Sequence, residues 1–179
     1  MTYENLVQNM IDMLAEQQLK LGYAAGTFRL YYPLQSLNRL LHVQLDEEGM
    51  LSALSDRSVS ENERIGPVAI EANHGRFCFS FPSTAQDYIQ THMGEHAFLR
   101  ELIQTLSREG TTMDDVLAVF FRHSDSVVVE SKTGEDFDVL AYFADGKPDA
   151  YRYCLTDEGC HIIYHRFTAD DYHDFYPEG

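Results

Sequence analysis

Residues 126–167 read SVVVESKTGEDFDVLAYFADGKPDAYRYCLTDEGCHIIYHRF and decide the fold of this chain. Four short apolar runs in this stretch are separated by three compact turns, and each turn contains a glycine. This pattern is typical of antiparallel strands that follow one another as a meander. We therefore predict a four-stranded antiparallel sheet at the centre of the fold.

The turns of the meander also predict which residues lie opposite each other. Asp157-Glu158-Gly159 fits a three-residue hairpin loop, which would pair Tyr151 with His165. Asp145-Gly146 fits a two-residue turn, which would pair Leu140 with Tyr151. These registers give one face a mainly Phe and Val character. The other face then carries a group of tyrosine and histidine side chains: Tyr142, Tyr151, Tyr153, His161 and His165.

Neither predicted face of the meander is plainly polar, which leaves two explanations. Either both faces are covered, with helices on one side, or a bulge resets the alternation of side chains along a strand. We favour the first explanation. The Phe and Val face is then expected to pack on helices, and the Tyr and His face is expected to be partly covered.

Apolar residues recur at helical spacing in much of the remaining chain. They predict helices from Tyr3 to about Gln18, from Pro33 to about Val43, and in two stretches before Ser126. Val68 to Phe81 reads as a hairpin around Asn73-His74-Gly75, and it is a candidate extension of the meander sheet. The predicted class is α+β, with an antiparallel sheet packed against several helices.

Two helix starts carry residues suited to capping. Thr111-Thr112 begins a helical stretch, and Asp114-Asp115 complements the positive end of its dipole. Ser83-Thr84 precedes another helical stretch at the spacing of a capping box. We expect a side-chain cap at both places.

The 179 residues are predicted to form a single domain, because one core commonly organises about 100 to 200 residues. Hydrophobic residues make up 44% of the chain and charged residues 23%, values that are ordinary for an ordered globular protein. Residues 55–66 are polar and have neither helical nor strand periodicity. We predict a mobile loop there, and a boundary in the same segment if the chain has two parts.

The chain is acidic, with 13 Lys and Arg residues against 29 Asp and Glu residues and a formal net charge of −16. Phosphate backbones and anionic lipid surfaces are repelled by such a charge at long range. Neither nucleic acid nor a membrane is therefore expected as a partner, whereas a basic protein is. The sequence leaves the oligomeric state open.

The compartment is predicted from the amino terminus and the cysteines. The first residues lack the basic start and apolar core of a signal peptide, and the longest apolar run, Val116 to Phe121, is too short to cross a membrane. Three cysteines are few and odd in number, which agrees with a reducing compartment. We predict a cytoplasmic protein.

Two His-x-x-x-His segments suggest metal binding, and geometry separates them. On a helix, His92 and His96 would lie about 6 Å apart and could share one ion. On a strand, His161 and His165 would lie about 13 Å apart, which is too far for one ion. A metal site on His92 and His96 is retained as a candidate, although histidines on an apolar stripe are more often core residues.

Cys154, Cys160 and His161 lie close together in sequence near one predicted hairpin. They could ligate zinc or supply a thiolate nucleophile, but the spacing of the two cysteines is not that of a zinc knuckle. We predict structural cysteines here.

The sequence contains no Gly-rich phosphate loop, nucleophile elbow or calcium loop. The tyrosine and histidine face is a candidate contact surface, because tyrosine is enriched where proteins meet partners. We predict a non-catalytic interaction or regulatory protein that uses no cofactor. The alternative is a metal-dependent hydrolase that uses His92 and His96.

Two segments carry a resemblance to a known family. One is the helix of residues 112–121, TMDDVLAVFF, which leads into strands, and the other is the ending of residues 159–167, GCHIIYHRF. The chain resembles the domain of unknown function 3877 family of short bacterial proteins. The resemblance covers most of the chain, and it implies no residue roles.

Overall fold

The computed structural model describes residues 3–55, 57–132 and 136–177, with the side chains of residues 57 and 58 left aside. The chain divides into two compact units, Met1–His96 and Ala97–Gly179. The division therefore falls after His96 and not in the 55–66 segment, where a boundary was expected. That the whole chain acts as one domain stays a prediction.

The first unit contains helices and three strands. Their bounds are α1 (Glu4–Leu21), β1 (Phe28–Pro33), α2 (Leu34–Leu40), α3 (Glu47–Leu54), α4 (Arg57–Ser60), β2 (Ala69–Asn73), β3 (Arg76–Phe81), α5 (Ser83–His92) and a 3-10 helix (Met93–His96). The predicted first helix is confirmed, and it ends at Gly22, which has a positive φ of 82°.

The predicted hairpin is confirmed as β2 and β3, joined by His74 and Gly75. Both turn residues have positive φ, 49° and 73°, as a two-residue hairpin turn requires. However, β3 also pairs with β1, so these strands form a separate antiparallel sheet in the order β1-β3-β2. The prediction that the hairpin extends the meander is wrong, because β3 finds its second partner in β1.

The core of the first unit includes two residues of the 55–66 segment. Val59 and Ile65 are fully buried in the cluster formed by α1, α3 and the sheet. The backbone is also tied down, since the N–H of Val68 donates to the carbonyl of Ser60 at 2.8 Å. Residues 57–60 form a short helix where a loop was predicted. Mobility in this segment stays a prediction, but two anchored apolar side chains oppose it.

The second unit is built around the meander. Its elements are α6 (Ala97–Leu106), α7 (Met113–His123), β4 (Val127–Ser131), β5 (Val139–Phe143), β6 (Arg152–Asp157), β7 (Ile162–Phe167) and α8 (Ala169–Phe175). The sheet is antiparallel in the order β4-β5-β6-β7, which confirms the predicted meander and the α+β class. Among the described residues, no helix is long and apolar enough to span a bilayer.

Both predicted registers of the meander are wrong. His165 lies opposite Cys154, not Tyr151, and Leu140 also lies opposite Cys154. The connections are longer than the tight turns assumed, since they run through residues 144–151 and 158–161. In the first connection, Asp149 accepts a hydrogen bond from the N–H of Tyr151, so the chain turns again before β6 begins.

Helices pack on both faces of the meander, as the favoured explanation requires. On one face, Phe143 and Tyr153 contact Phe98 and Phe120, with ring centroids 4.9–5.6 Å apart. These two phenylalanines belong to α6 and α7. On the other face, Leu140 and Cys154 pack in a cluster that includes Tyr172 of α8.

Candidate functional site

The predicted tyrosine and histidine surface is not one surface. The register places Tyr142 and His165 on one face of the sheet and Tyr153 on the other. Tyr153 and Tyr151 are buried, and His161 lies in the β6–β7 loop. The prediction that the five side chains share a face is therefore wrong, because each register is shifted by an odd number of residues.

Tyr151 and Tyr153 take part in a buried polar network. The Tyr153 hydroxyl donates a hydrogen bond to Asp149 Oδ2 at 2.6 Å. Burial, followed by the charge of Asp149, raises the pKa of Tyr153, while Arg166 opposes that shift. The Arg166 guanidinium also lies 4.4 Å from the ring centroid of Tyr151. These contacts give the two tyrosines a structural role.

Tyr142, His161 and His165 are more accessible. The Arg152 guanidinium lies over the Tyr142 ring, 3.7 Å from its centroid, and the Tyr142 hydroxyl donates to Glu130 at 3.3 Å. His161 and His165 are both exposed. A binding role for these three residues stays a prediction.

The β6–β7 loop brings a thiol, an imidazole and a carboxylate together. Cys160 Sγ lies 3.1 Å from His161 Nδ1, and His161 Nε2 lies 3.0 Å from Glu158 Oε2. Cys160 is exposed, so its prediction as a structural cysteine is wrong, whereas Cys154 is buried as expected. The sequence signal for this contact is the adjacency of Cys160 and His161.

The His92 and His96 pair does not lie on one continuous α-helix. His92 ends α5, and His96 ends the 3-10 helix that follows. His92 stacks on Tyr88 with ring centroids 4.0 Å apart, and its Nδ1 lies 2.8 Å from the Tyr88 carbonyl oxygen. In the described ranges, no group of three or more His, Cys, Asp or Glu residues is arranged to hold a metal ion. The metal site stays a prediction that needs further ligands.

Strand β4 stands at one edge of the meander, and its backbone hydrogen bonds show which groups face outward. Ser126 O accepts from the N–H of Ala144 at 2.8 Å, and the N–H of Lys132 donates to Asp138 O at 2.8 Å. Because such bonds alternate along an antiparallel pair, the even-numbered residues of β4 point toward β5. The N–H and C=O groups of Val127, Val129 and Ser131 therefore point away from the sheet. We call these outward groups the β4 edge.

One apolar side chain of β4 is exposed, and another is exposed on α7. Val129 lies opposite Ala141, on the face against which α7 packs, and it is 38% exposed. Phe121, near the end of α7, is 58% exposed. Natural edge strands are commonly protected by proline, bulges or lysine. Within β4 the charged residue is Glu130, which pairs with Lys132 at 3.1 Å.

Carboxylates lie at both ends of β4. Asp125 is exposed two residues before the strand, and Asp145 accepts a hydrogen bond from the Ser126 hydroxyl at 2.5 Å. That bond and the one from the Lys147 backbone lower the pKa of Asp145, so its carboxyl group stays ionised. Glu130 lies near the other end of the strand. The surroundings of the β4 edge therefore include the exposed side chain of Val129 and the negative charge of Asp125 and Asp145.

The cluster at the carboxyl end of α7 is internally neutralised. Glu101 receives hydrogen bonds from His123 at 2.6 Å and from Arg122 Nε at 2.9 Å. The bond from His123, followed by that from Arg122, lowers the pKa of Glu101. Because Arg122 already has a carboxylate partner, it does little to offset the acids near β4.

Comparisons with known proteins give a family and no function. Neither the search of curated proteins nor the search of solved structures found a match. A family model described as "Domain of unknown function, E. rectale Gene description (DUF3877)" matches residues 3–176. That range is nearly the whole chain, which confirms the resemblance seen in the sequence. The chain belongs to the DUF3877 family.

Proposed function

We propose that this chain is a non-catalytic interaction protein of the cytoplasm, which binds an extended, basic segment of a partner protein along β4. The observation that carries the proposal is the β4 edge, where Val127, Val129 and Ser131 direct their N–H and C=O groups outward. No described strand lies beside them. A partner strand that pairs there would satisfy these groups, as in other cases of strand addition.

The side chains around the edge supply a basis for specificity. In an added strand, alternate side chains would lie on the α7 face of the sheet, beside Val129 and on the same side as Phe121. Apolar residues suit those positions. The intervening side chains would lie on the face that carries Glu130, which already pairs with Lys132, so the preference for Lys or Arg comes from Asp125 and Asp145 near the start of β4. We therefore expect a partner segment in which apolar and basic residues alternate.

Charge supports the choice of a basic segment. The net charge of −16 attracts cationic chains over distances of several ångströms and raises their rate of encounter. Asp125 and Asp145 add local negative charge at one end of the strand. The attraction is screened by salt, so binding should weaken as ionic strength rises.

A peptide selection tests the proposal. A random twelve-residue library is selected against the wild-type protein, and the selected peptides are measured against Val129→Pro and Val129→Thr. Proline at position 129 removes an outward N–H and obstructs pairing, while the β4–β5 hydrogen bonds stay intact. Threonine leaves the outward backbone groups in place and serves as the matched control.

We expect the selected peptides to be rich in Lys and Arg, to bind Val129→Thr and to lose binding to Val129→Pro. Circular dichroism and thermal unfolding check that both variants are folded. Peptides that bind folded Val129→Pro as tightly as the wild type would contradict the proposal, as would a selection that yields acidic sequences.

A further inference from the structure

The β1-β3-β2 sheet has an apolar face and an outer face. Phe28, Leu30 and Tyr32 of β1 alternate with Arg29, Tyr31 and Pro33, and only the first set packs against the core of the first unit. In β3, the phenylalanines at positions 77, 79 and 81 are fully buried. The intervening residues of these strands form the outer face, which includes Arg29, Tyr31, Glu71, Arg76, Cys78 and Ser80.

Tyr31 is the prominent side chain of the outer face. It is 58% exposed, which is unusual for a large aromatic ring at the middle of a sheet strand. It lies opposite Cys78, whose side chain is smaller and half-buried. More than half of the Tyr31 surface is therefore accessible to a ligand.

Two arginines flank this ring. Arg29 lies two residues from Tyr31 on the same strand, a distance of about 6.6 Å between Cα atoms. Arg76 lies opposite Pro33, which makes it a diagonal neighbour of Tyr31 at about 7–8 Å. An arginine side chain can span such a distance, so both guanidinium groups can reach a ligand seated over Tyr31.

Neither arginine forms an ion pair or side-chain hydrogen bond with a residue that the structure describes, and both are exposed. This is notable in a chain with 29 acids and 13 bases. Elsewhere, basic side chains find carboxylates readily, as in Lys20 with Glu16 and Arg64 with Glu4. Two guanidinium groups without an ion pair among the described residues thus flank one exposed aromatic ring, and Glu71 is the outer-face carboxylate diagonal to Arg76.

We propose that the outer face binds a small phosphate monoester carried on a planar ring, the chemistry of a nucleoside monophosphate. The ring would stack on Tyr31, and the phosphate would accept hydrogen bonds from Arg29 and Arg76. A phosphate dianion suits two guanidinium groups better than a single carboxylate does. A nucleic-acid chain is disfavoured because its many phosphates meet the net charge of −16.

This site is independent of the β4 edge. Its test is a titration of the full chain with adenosine monophosphate, adenosine and inorganic phosphate, followed by NMR shifts of the β1 and β3 amides. Adenosine monophosphate should bind at millimolar concentration or below, and more tightly than either of its parts. Arg29→Ala, Arg76→Ala and Tyr31→Ala should each weaken it about tenfold.

Arg100→Ala is the matched control, because Arg100 is also exposed and without a described partner but lies on α6. It should bind as the wild type does. The substituted side chains are exposed, and unchanged thermal unfolding confirms that each variant is folded. The proposal is overturned if adenosine monophosphate fails to bind at millimolar concentration, or if Arg100→Ala weakens it as much as Arg29→Ala. An acidic peptide that binds this face more tightly than the nucleotide would overturn the ligand class.

Discussion

Two adjacent phenylalanines on α7 have opposite environments, and substituting each by alanine separates stability from binding. Phe120 is fully buried and contacts three aromatic rings. Its ring centroid lies 4.9–5.5 Å from those of Phe98, Phe143 and Tyr153. Phe121 is 58% exposed. The two variants remove the same atoms from neighbouring positions, so each serves as the control for the other.

The magnitude follows from burial. Phe120→Ala removes a ring from a closed aromatic cluster and leaves a cavity, which should cost about 3–5 kcal/mol. That loss is a large share of the roughly 5–15 kcal/mol that stabilises a typical domain. Phe121→Ala removes a ring that already contacts water, and alanine favours the helix, so the change should stay within about 0.5 kcal/mol.

Urea unfolding followed by circular dichroism measures both changes, and the peptides selected against β4 measure binding. Phe120→Ala should shift the midpoint strongly to lower urea. Phe121→Ala should leave the midpoint nearly unchanged but weaken the peptides, because its exposed ring belongs to the helix that packs on the sheet face carrying Val129. Equal destabilisation by the two variants would refute the orientation of α7. Undiminished peptide binding to Phe121→Ala would refute the role of its ring.

Three further predictions concern other parts of the structure. Thr112→Ala should lower the free energy of unfolding by about 1 kcal/mol in urea titrations, because the Thr112 hydroxyl accepts from the N–H of Asp115 at 3.2 Å; an unchanged midpoint would argue against this cap. Under native conditions a thiol reagent should modify Cys160 rapidly and Cys154 only after unfolding. In Cys160→Ser, the half-buried Cys78 is the thiol expected to react in the folded protein, and rapid labelling of Cys154 would contradict its burial. The pKa of Glu101 is lowered from its ordinary value of 4.5, so the stability it contributes is present above that value and is lost as the pH falls through the folded-state pKa. The difference in unfolding midpoint between wild type and Glu101→Gln should therefore shrink below pH 4.5. A difference that grows on acidification would contradict a lowered pKa of Glu101.

Local patterns predicted the elements well. The glycine-containing turns and short apolar runs of residues 126–167 indicated the meander, and the structure has it. Thr112 caps α7 with Asp115 as its reciprocal partner, as its position before an apolar stripe suggested. By contrast, α5 has Pro82 at its N-cap without a side-chain hydrogen bond, so the cap expected from Ser83-Thr84 is absent at that start. The meander turns and the α7 cap each depend on residues that lie close together in the sequence.

The registers depended on contacts that turn rules do not contain. The β5–β6 connection is shaped by Asp145, which accepts from Ser126, and by Asp149, which accepts from Tyr153. The first bond joins residues that are 19 positions apart, and the second joins residues that follow the Asp145-Gly146 turn. Because the resulting shift is odd, it moved Tyr153 from the predicted contact surface to the core.

The β4 edge could have been found from the sequence. The first strand of a meander has a neighbour on only one side unless another segment pairs with it, and residues 127–129 are three consecutive valines. The aromatic composition instead favoured a surface of tyrosine and histidine side chains. The outer face of the first sheet could not have been found in this way, because the pairing of β1 with β3 joins segments far apart in the chain.

Hydrogen exchange along β4 tests the central claim most directly. Without a ligand, the amides of Val127, Val129 and Ser131 should exchange rapidly, while those of Val128 and Glu130 should be protected by β5. When a selected basic peptide is added, the three odd-numbered amides should become protected. If they stay unprotected while the peptide is bound, the peptide does not pair with β4, and the proposed function is wrong.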